Sequence, residues 1–226
     1  MAALPSNVHV SRHPCLQAKI SQLRSHTTNA RDVKTLIHEI SLIVACEALA
    51  TVTSAAEGPK DQTPIGFEYT TTTIEPGTMC IVPILRSGLG MVEAVQTMLP
   101  LPVPVHHLGM YREPSLLTPV EYYNNLPHRV PNAAADAASL AIVVDPVVAT
   151  GGTCTAAIQT LREWGVKRIL VLAVIGAEDG VARTAQEWPE GTDLWLAAVD
   201  KELTPKGMLK PGLGDVGDRL FLTIGK

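Results

Sequence analysis

The sequence predicts an α/β fold in which a mostly parallel sheet is flanked by helices on both faces. Two patterns predict it. Short continuous apolar runs, 79–85 (MCIVPIL), 139–145 (SLAIVVD) and 168–175 (RILVLAVI), alternate with helical stretches. Strands covered on both faces by crossover helices read this way, because neither face meets water. The 226 residues are also 46% hydrophobic, 18% charged and only 4% aromatic. Such a chain is too apolar for global disorder and builds its core from Ala, Val, Ile and Leu. The length suits one domain over 1–226.

The elements follow in order. Residues 15–57 read as helical, on an apolar stripe of Leu36, Ile37, Ile40, Leu42, Ile43 and Val44 extended by Ala45 and Ala48 to Ala50. Residues 58–64 (GPKDQTP) read as a loop, and the Thr-rich stretch 65–74 as a strand. Strand 79–85 leads through a Gly-containing turn into a helix, Ser87 to Leu99, and a strand at 103–108. Strand 139–145 is followed by a helix from Gly152 to Trp164. Strand 168–175, a helix from Glu178 to Trp188 and a last strand, Leu194 to Val199, complete the alternation. Two irregular segments stand outside it, 109–131 and the Gly- and Pro-rich tail 200–226. Long irregular segments in a compact domain are commonly lids or binding loops.

Charge and cysteine usage narrow the class. Eighteen Lys and Arg against 22 Asp and Glu give a net charge of −4, which argues against a nucleic-acid polymer as partner. No apolar run approaches the roughly 20 residues that span a bilayer, and the first residues (MAALPSNVHVSRHP) hold no long apolar segment to act as a signal peptide. Cys15, Cys46, Cys80 and Cys154 form no CxxC pair. They read as reduced thiols in a cytoplasmic protein, not as zinc ligands or a disulfide framework.

The most informative segment is 141–157, AIVVDPVVATGGTCTAA. An apolar strand ends at Asp145, and a turn with Thr150, Gly151, Gly152 and Thr153 opens a helix. Glycines let several backbone N–H groups converge on one anion, and the helix N-terminus adds its positive end. Thr150, Thr153 and Thr155 offer hydroxyl donors, and Asp145 can accept hydrogen bonds from sugar hydroxyls. Neither GxxxxGK[ST] nor GxGxxG is present, so this is no P-loop and no dinucleotide fingerprint. A plain capped turn would explain Gly-Gly alone, but not Asp-Pro at the strand end followed by Ala-Thr-Gly-Gly-Thr. Arg86, at the end of strand 79–85 and before Ser87-Gly88-Leu89-Gly90, suits a pyrophosphate in the same way.

VVDPVVATGGT resembles the phosphoribosyl-pyrophosphate (PRPP) motif of the type I phosphoribosyltransferases, and its Asp-Pro form resembles the uracil phosphoribosyltransferase branch. Other blocks resemble that branch too: HPCLQAKISQLR at 13–24, IVPILRSGLGM at 81–91, GMYREPSLLTPVEYYNNLP at 109–127 and PGLGDVGDRLF at 211–221. The resemblance implies a type I phosphoribosyltransferase fold with a flexible arm (109–131) and a C-terminal base-binding hood (200–226). It implies transfer of the 5-phosphoribosyl group from PRPP to uracil, giving UMP and pyrophosphate. PRPP would contact Arg86, Arg112, Asp145, Pro146, Val147, Val148, Ala149, Thr150, Gly151, Gly152, Thr153 and Asp215. Uracil would contact Leu209, Gly214, Asp215 and Val216, and the catalytic set would be Asp145, Arg112 and Asp215. Mg²⁺ would be held mainly by PRPP and water. A homo-oligomer, dimer or tetramer, is implied, with 15–57 as an apolar helix for the contact, and a GTP effector is left open. Departures gather near the base segment. The family usually has Tyr and Ile at Met208 and Leu209, an apolar residue at Lys210, Ala at Val216 and Gly at Leu222. The alternatives are a phosphoribosyltransferase for another base and a non-catalytic nucleotide sensor of the same fold.

Overall fold

The computed structural model describes residues 4–112, 119–127 and 138–223. A short strand β1 (Val8–Val10), which the sequence reading did not anticipate, precedes helix α1 (Pro14–Arg24), which has Pro in its first turn where no intrahelical N–H is lost. The expected helix over 15–57 is two helices. Ser25 to Asn29 break it, because short polar side chains there satisfy backbone groups locally. The Thr28 hydroxyl donates to Gln22 O at 2.6 Å, and Asn29 Oδ1 accepts from Asp32 N at 3.1 Å to cap α2 (Ala30–Val52). By length and composition α2 could cross a membrane, contrary to the expectation that no run approaches that size. Here its Val33, Ile37, Ile40, Val44 and Ala48 are buried in the core against α1 and the sheet. That packing uses the apolar stripe that the sequence reading assigned to an oligomer contact.

Residues 54–75 form a separate antiparallel hairpin of β2 (Ser54–Gln62) and β3 (Glu68–Glu75). The expected loop at 58–64 is thus mostly strand. A register shift between Glu57 and Lys60 accommodates Gly58-Pro59, and the Thr71 hydroxyl ties down Pro59 O at 2.7 Å. Next come β4 (Met79–Leu85) and α3 (Leu89–Met98). Of the strand expected at 103–108, only a bridge at Val105 to Ile81 precedes β5 (Leu108–Arg112). β6 (Pro119–Asn124) pairs antiparallel with β5, so part of the presumed irregular arm is sheet. The chain continues through β7 (Leu140–Val144), β8 (Val147–Val148), α4 (Gly152–Trp164), β9 (Arg168–Ala177), α5 (Glu178–Glu187) and β10 (Thr192–Asp200). The tail folds into a small pair, β11 (Glu202–Leu203) with β12 (Leu209–Lys210), and α6 (Val216–Phe221).

The main sheet runs β1-β10-β9-β7-β4-β5-β6, with β8 also on β9, and only β6 is antiparallel. Its strands alternate between two cores. Leu140, Ile142 and Val144 face the layer that holds α1, α2 and α3, and Ala141 and Val143 face the layer of α4 and α5. β4 and β9 do the same, which is why their sequences are apolar at every position rather than every second one. Each fully buried Val, Leu or Ile contributes about 1.5–3 kcal/mol relative to exposure. β7 and β4 thereby end together, with Asp145 and Arg86 just past their carboxyl ends.

Leu222 ends α6 with φ 54°, in the left-handed region, where a β-carbon crowds the backbone, and its side chain is 74% exposed. Gly adopts this conformation without that crowding. Leu222→Gly is expected to stabilise the folded chain by about 0.5–1 kcal/mol, read as a rise of roughly 2 °C in Tm.

Candidate active site

The site lies at the carboxyl edge of the parallel strands, where ligands of such sheets bind. A cleft of about 210 Å³ is bounded by Ser87 and Asp145 below, Thr153 on one side, and Met208, Leu209 and 213–217 of the tail above. The sequence-predicted residues of three separate blocks therefore meet around one space.

Asp145 is 7% exposed at the floor. Ser87 Oγ donates to its Oδ1 at 3.2 Å, and Val147 N–H donates at 3.4 Å. Burial pushes its carboxyl up to about 7, outweighing these two hydrogen bonds, which pull the other way. A carboxylate so placed gains from any donor that enters the cleft. Beyond it, the Pro146 carbonyl accepts from Val174 and Ile175 N–H at 3.1 and 3.0 Å, and Val147 and Val148 pair with β9. Pro146 and Val148 are buried, so they shape the loop from beneath.

Val147 to Cys154 curl around a hollow of about 60 Å³. Thr150 and Thr153 are half-exposed at it, whereas Thr155 is buried with its hydroxyl unpartnered among the described residues. Thr155 is thus not a donor to an entering anion; it lies on the inner face of α4. The backbone of the loop rests on α5. A β-carbon on Gly151 (φ 78°) would lie 2.4 Å from Gly180 O, and one on Gly180 would lie 1.9 Å from Ala149 O. Neither position tolerates a side chain, and the contact seats the loop at the start of α4 against the first turn of α5.

Arg86 follows a cis Leu85–Arg86 peptide and is 51% exposed. Its guanidinium donates to Asp218 Oδ1 at 3.2 Å and to Thr223 Oγ1 at 3.1 Å, so it bridges the strand end to the tail. Asp218 is a partner that the sequence reading missed. The Arg112 backbone ends β5, but its side chain lies outside the described residues, as do 113–118 and 128–131 of the expected arm. The arm's visible return is packed on α4: Trp164 Nε1 donates to Pro127 O at 3.0 Å and Thr160 to Glu121 at 3.4 Å.

The tail is staked by charged groups to which the sequence reading gave no role. Asp200, with a 5% exposed side chain, accepts two hydrogen bonds from Arg24 at 2.6 and 3.0 Å and one from Gly212 N at 2.8 Å. Arg24 also donates to Gly212 O at 2.9 Å. Arg219 donates to the carbonyls of Leu23, Leu213 and Ser25 at 2.7, 2.7 and 3.2 Å. These contacts hold Gly212 (φ 68°) and Gly214 (φ 76°) over the cleft. Leu209 and Val216 are buried at its wall, Met208 is exposed at its mouth, and Asp215 caps α6 through Asp218 N at 3.0 Å. Lys210 faces away and pairs with Glu202 at 2.8 Å.

The four cysteines are free. Burial raises the Cys80 thiol to about 12, and burial with the nearby Asp145 pushes Cys154 well above its usual range, so neither is a nucleophile.

The family model for uracil phosphoribosyltransferase matches residues 10–223. This chain belongs to the uracil phosphoribosyltransferase family. It is 38% identical over 218 residues to the uracil phosphoribosyltransferase of Desulfitobacterium hafniense, covering 96% of this chain and 99% of that one. It is 39% identical over 218 residues to that of Finegoldia magna, with the same coverage. Among solved structures, the AQ2163 protein of Aquifex aeolicus superposes with a TM-score of 0.85 at 27% identity, over 96% of this chain and 98% of that one. The fold is the type I phosphoribosyltransferase fold.

Two predictions follow from the geometry of this uracil phosphoribosyltransferase relative. In the ligand-free protein, native Asp145 holds its proton more tightly than the unfolded chain does. Its contribution is complete below about pH 4 and is lost as pH rises through about 7. Asp145→Asn removes that loss. Denaturant titration is expected to find the variant about 4 kcal/mol more stable than wild type at pH 8, with the gap closing toward pH 4. A constant gap across pH would contradict the assignment. Asp200→Ala leaves Arg24 without its carboxylate and frees the Gly212 N–H. A loss of about 3 kcal/mol is expected by the same titration.

Proposed function

We propose that the chain transfers the 5-phosphoribosyl group of PRPP to uracil, forming UMP and pyrophosphate in pyrimidine salvage, from one domain over 1–226 with an arm (109–131) and a hood (200–226). The observation that carries this reading is the convergence of Ser87, Asp145, Thr153 and tail residues Met208, Leu209 and 213–217 on one cleft, with Arg86 next to Ser87 in sequence and tied to the tail through Asp218. In this reading the N–H groups of Thr150 to Thr153 and the α4 N-terminus hold the 5-phosphate. Asp145 accepts from the ribose hydroxyls. Arg86 and Arg112 meet the pyrophosphate, and Arg86 exchanges its contact with Asp218 for that ligand. Loss of pyrophosphate develops positive charge on the ribose, and Asp215, on the cleft wall, faces that charge.

Leu209, Gly214 and Val216 bound the base. Backbone N–H and C=O groups of the tail suit uracil, which offers two acceptor oxygens and ring N–H donors. Cytosine presents the opposite polarity on one edge and would strand buried groups. The Asp145 and Asp215 carboxylates fit a cation that keeps most of its water and takes phosphate oxygens, as Mg²⁺ does. When bound, Mg²⁺ would supply charge to the leaving pyrophosphate. The four free thiols, two of them exposed, fit a cytoplasmic setting. We assign homo-oligomer contacts to the exposed Ile65 (81%) and Phe67 (69%) at the β2–β3 hairpin, with light scattering as the test.

The experiment is a single-pot comparison. Labelled uracil, PRPP and Mg²⁺ are expected to yield UMP, and orotate, cytosine and purines at least about 100-fold less product. PRPP binding with no product from any base would leave a sensor of the same fold. A parallel reaction with added GTP tests the effector that the resemblance leaves open.

A further inference from the structure

We infer that Arg183, on α5, is a donor-binding residue that supplies the full positive charge facing the 5-phosphate. The inference rests on the reading above, in which that phosphate sits on the 150–153 loop.

Three observations place Arg183 there. The first turn of α5 is the seat of the loop: Gly180 and Gly151 touch backbone to backbone, and Thr184 Oγ1 reaches Gly180 O at 2.8 Å and Gly151 O at 3.4 Å. Arg183 lies three residues after Gly180, hence on the same side of the helix. A β-carbon on Gly152, the first residue of α4, would stand 3.9 Å from Arg183 Nη1. The guanidinium therefore hangs at the rim of the anion cradle, not merely somewhere along the helix.

Its bonding state points the same way. Arg183 is exposed and makes no hydrogen bond or ion pair with any described residue. Other arginines around the site are engaged: Arg24 by Asp200, Arg86 by Asp218, Arg219 by three carbonyls, and Arg162 over the Trp188 ring at 5.4 Å. The electrostatics also call for such a group. The loop offers neutral hydroxyls, N–H dipoles and a helix end equivalent to about half a positive charge. A phosphate monoester carries about −1.5 to −2 at pH 7. No Lys or Arg occurs between Asp145 and Leu161, so the loop itself holds no cation. Arg183 comes from a different helix 30 residues later, at the one edge of the cradle that Pro119 of the returning arm also approaches. A planar fork at that edge can take two phosphate oxygens.

The test compares wild type with Arg183→Ala and Arg183→Lys, with both variants checked for an unchanged Tm. Arg183→Ala is expected to raise KM for PRPP about 10-fold, with kcat and KM for uracil within about 2-fold; Arg183→Lys recovers part of the loss. Binding by calorimetry separates phosphate recognition from fold. Arg183→Ala should weaken UMP about 10-fold and leave uridine unchanged. A wild-type protein that forms no UMP overturns the functional reading itself. An active wild type with unchanged PRPP and UMP affinities in Arg183→Ala overturns the role of Arg183 alone. Equal weakening of UMP and uridine, or a lowered Tm, overturns it as well, because a structural role would not depend on the phosphate.

Discussion

Backbone-to-backbone contact between Gly151 and Gly180 is the constraint on which the site depends. With no side chain possible at either position, the turn after β8 sits directly on the first turn of α5. That contact seats the start of α4 and decides which α5 residues border it. It is a steric condition rather than an energetic one. A single methyl group on Gly180 would displace the Ala149 carbonyl, and with it the cradle.

A second condition is electrostatic. The parallel sheet brings Asp145 to the end of β7, in the middle of the sheet and flanked by β4 and β9. Few waters reach it there, so the carboxyl is raised toward neutrality in the absence of ligand. The same burial that costs stability makes the group a strong acceptor for hydroxyls delivered into the cleft. The stability cost and the binding role thus have one cause. Across the cleft, the tail buries Leu209, Leu213 and Val216 in the main core. It is also pinned by Arg24 of α1, Asp200 at the end of β10 and Arg219, which reaches back to the carbonyls at the end of α1. Base-facing backbone is therefore positioned by charged groups behind it.

Much of this was legible in the sequence. Continuous apolar runs marked β4, β7 and β9 because both faces are covered. Asp-Pro before Ala-Thr-Gly-Gly-Thr marked the anion loop because glycine and a helix start are local requirements. Other features were illegible for equally physical reasons. The α1–α2 break rests on Thr28 and Asn29 reaching back to backbone groups, which composition does not reveal. β6 is a strand only because β5 offers it an edge, and Gly58-Pro59 reads as a turn unless a bulge absorbs it. Thr155 looked like a ligand by proximity in sequence, but the helical turn carries it inward.

What the amino-acid order determined by itself was the set of local structures whose causes lie within a few residues: buried strands, helix starts, and a loop able to bind phosphate. Only the tertiary structure decided which distant groups come together around the cleft. Arg86 meets Asp218, Arg24 meets Asp200, and Arg183 comes beside Gly152, across 31 to 176 positions of chain. Such pairs leave no periodic or local trace, because charge acts through space and the sheet, not the sequence, sets the distances.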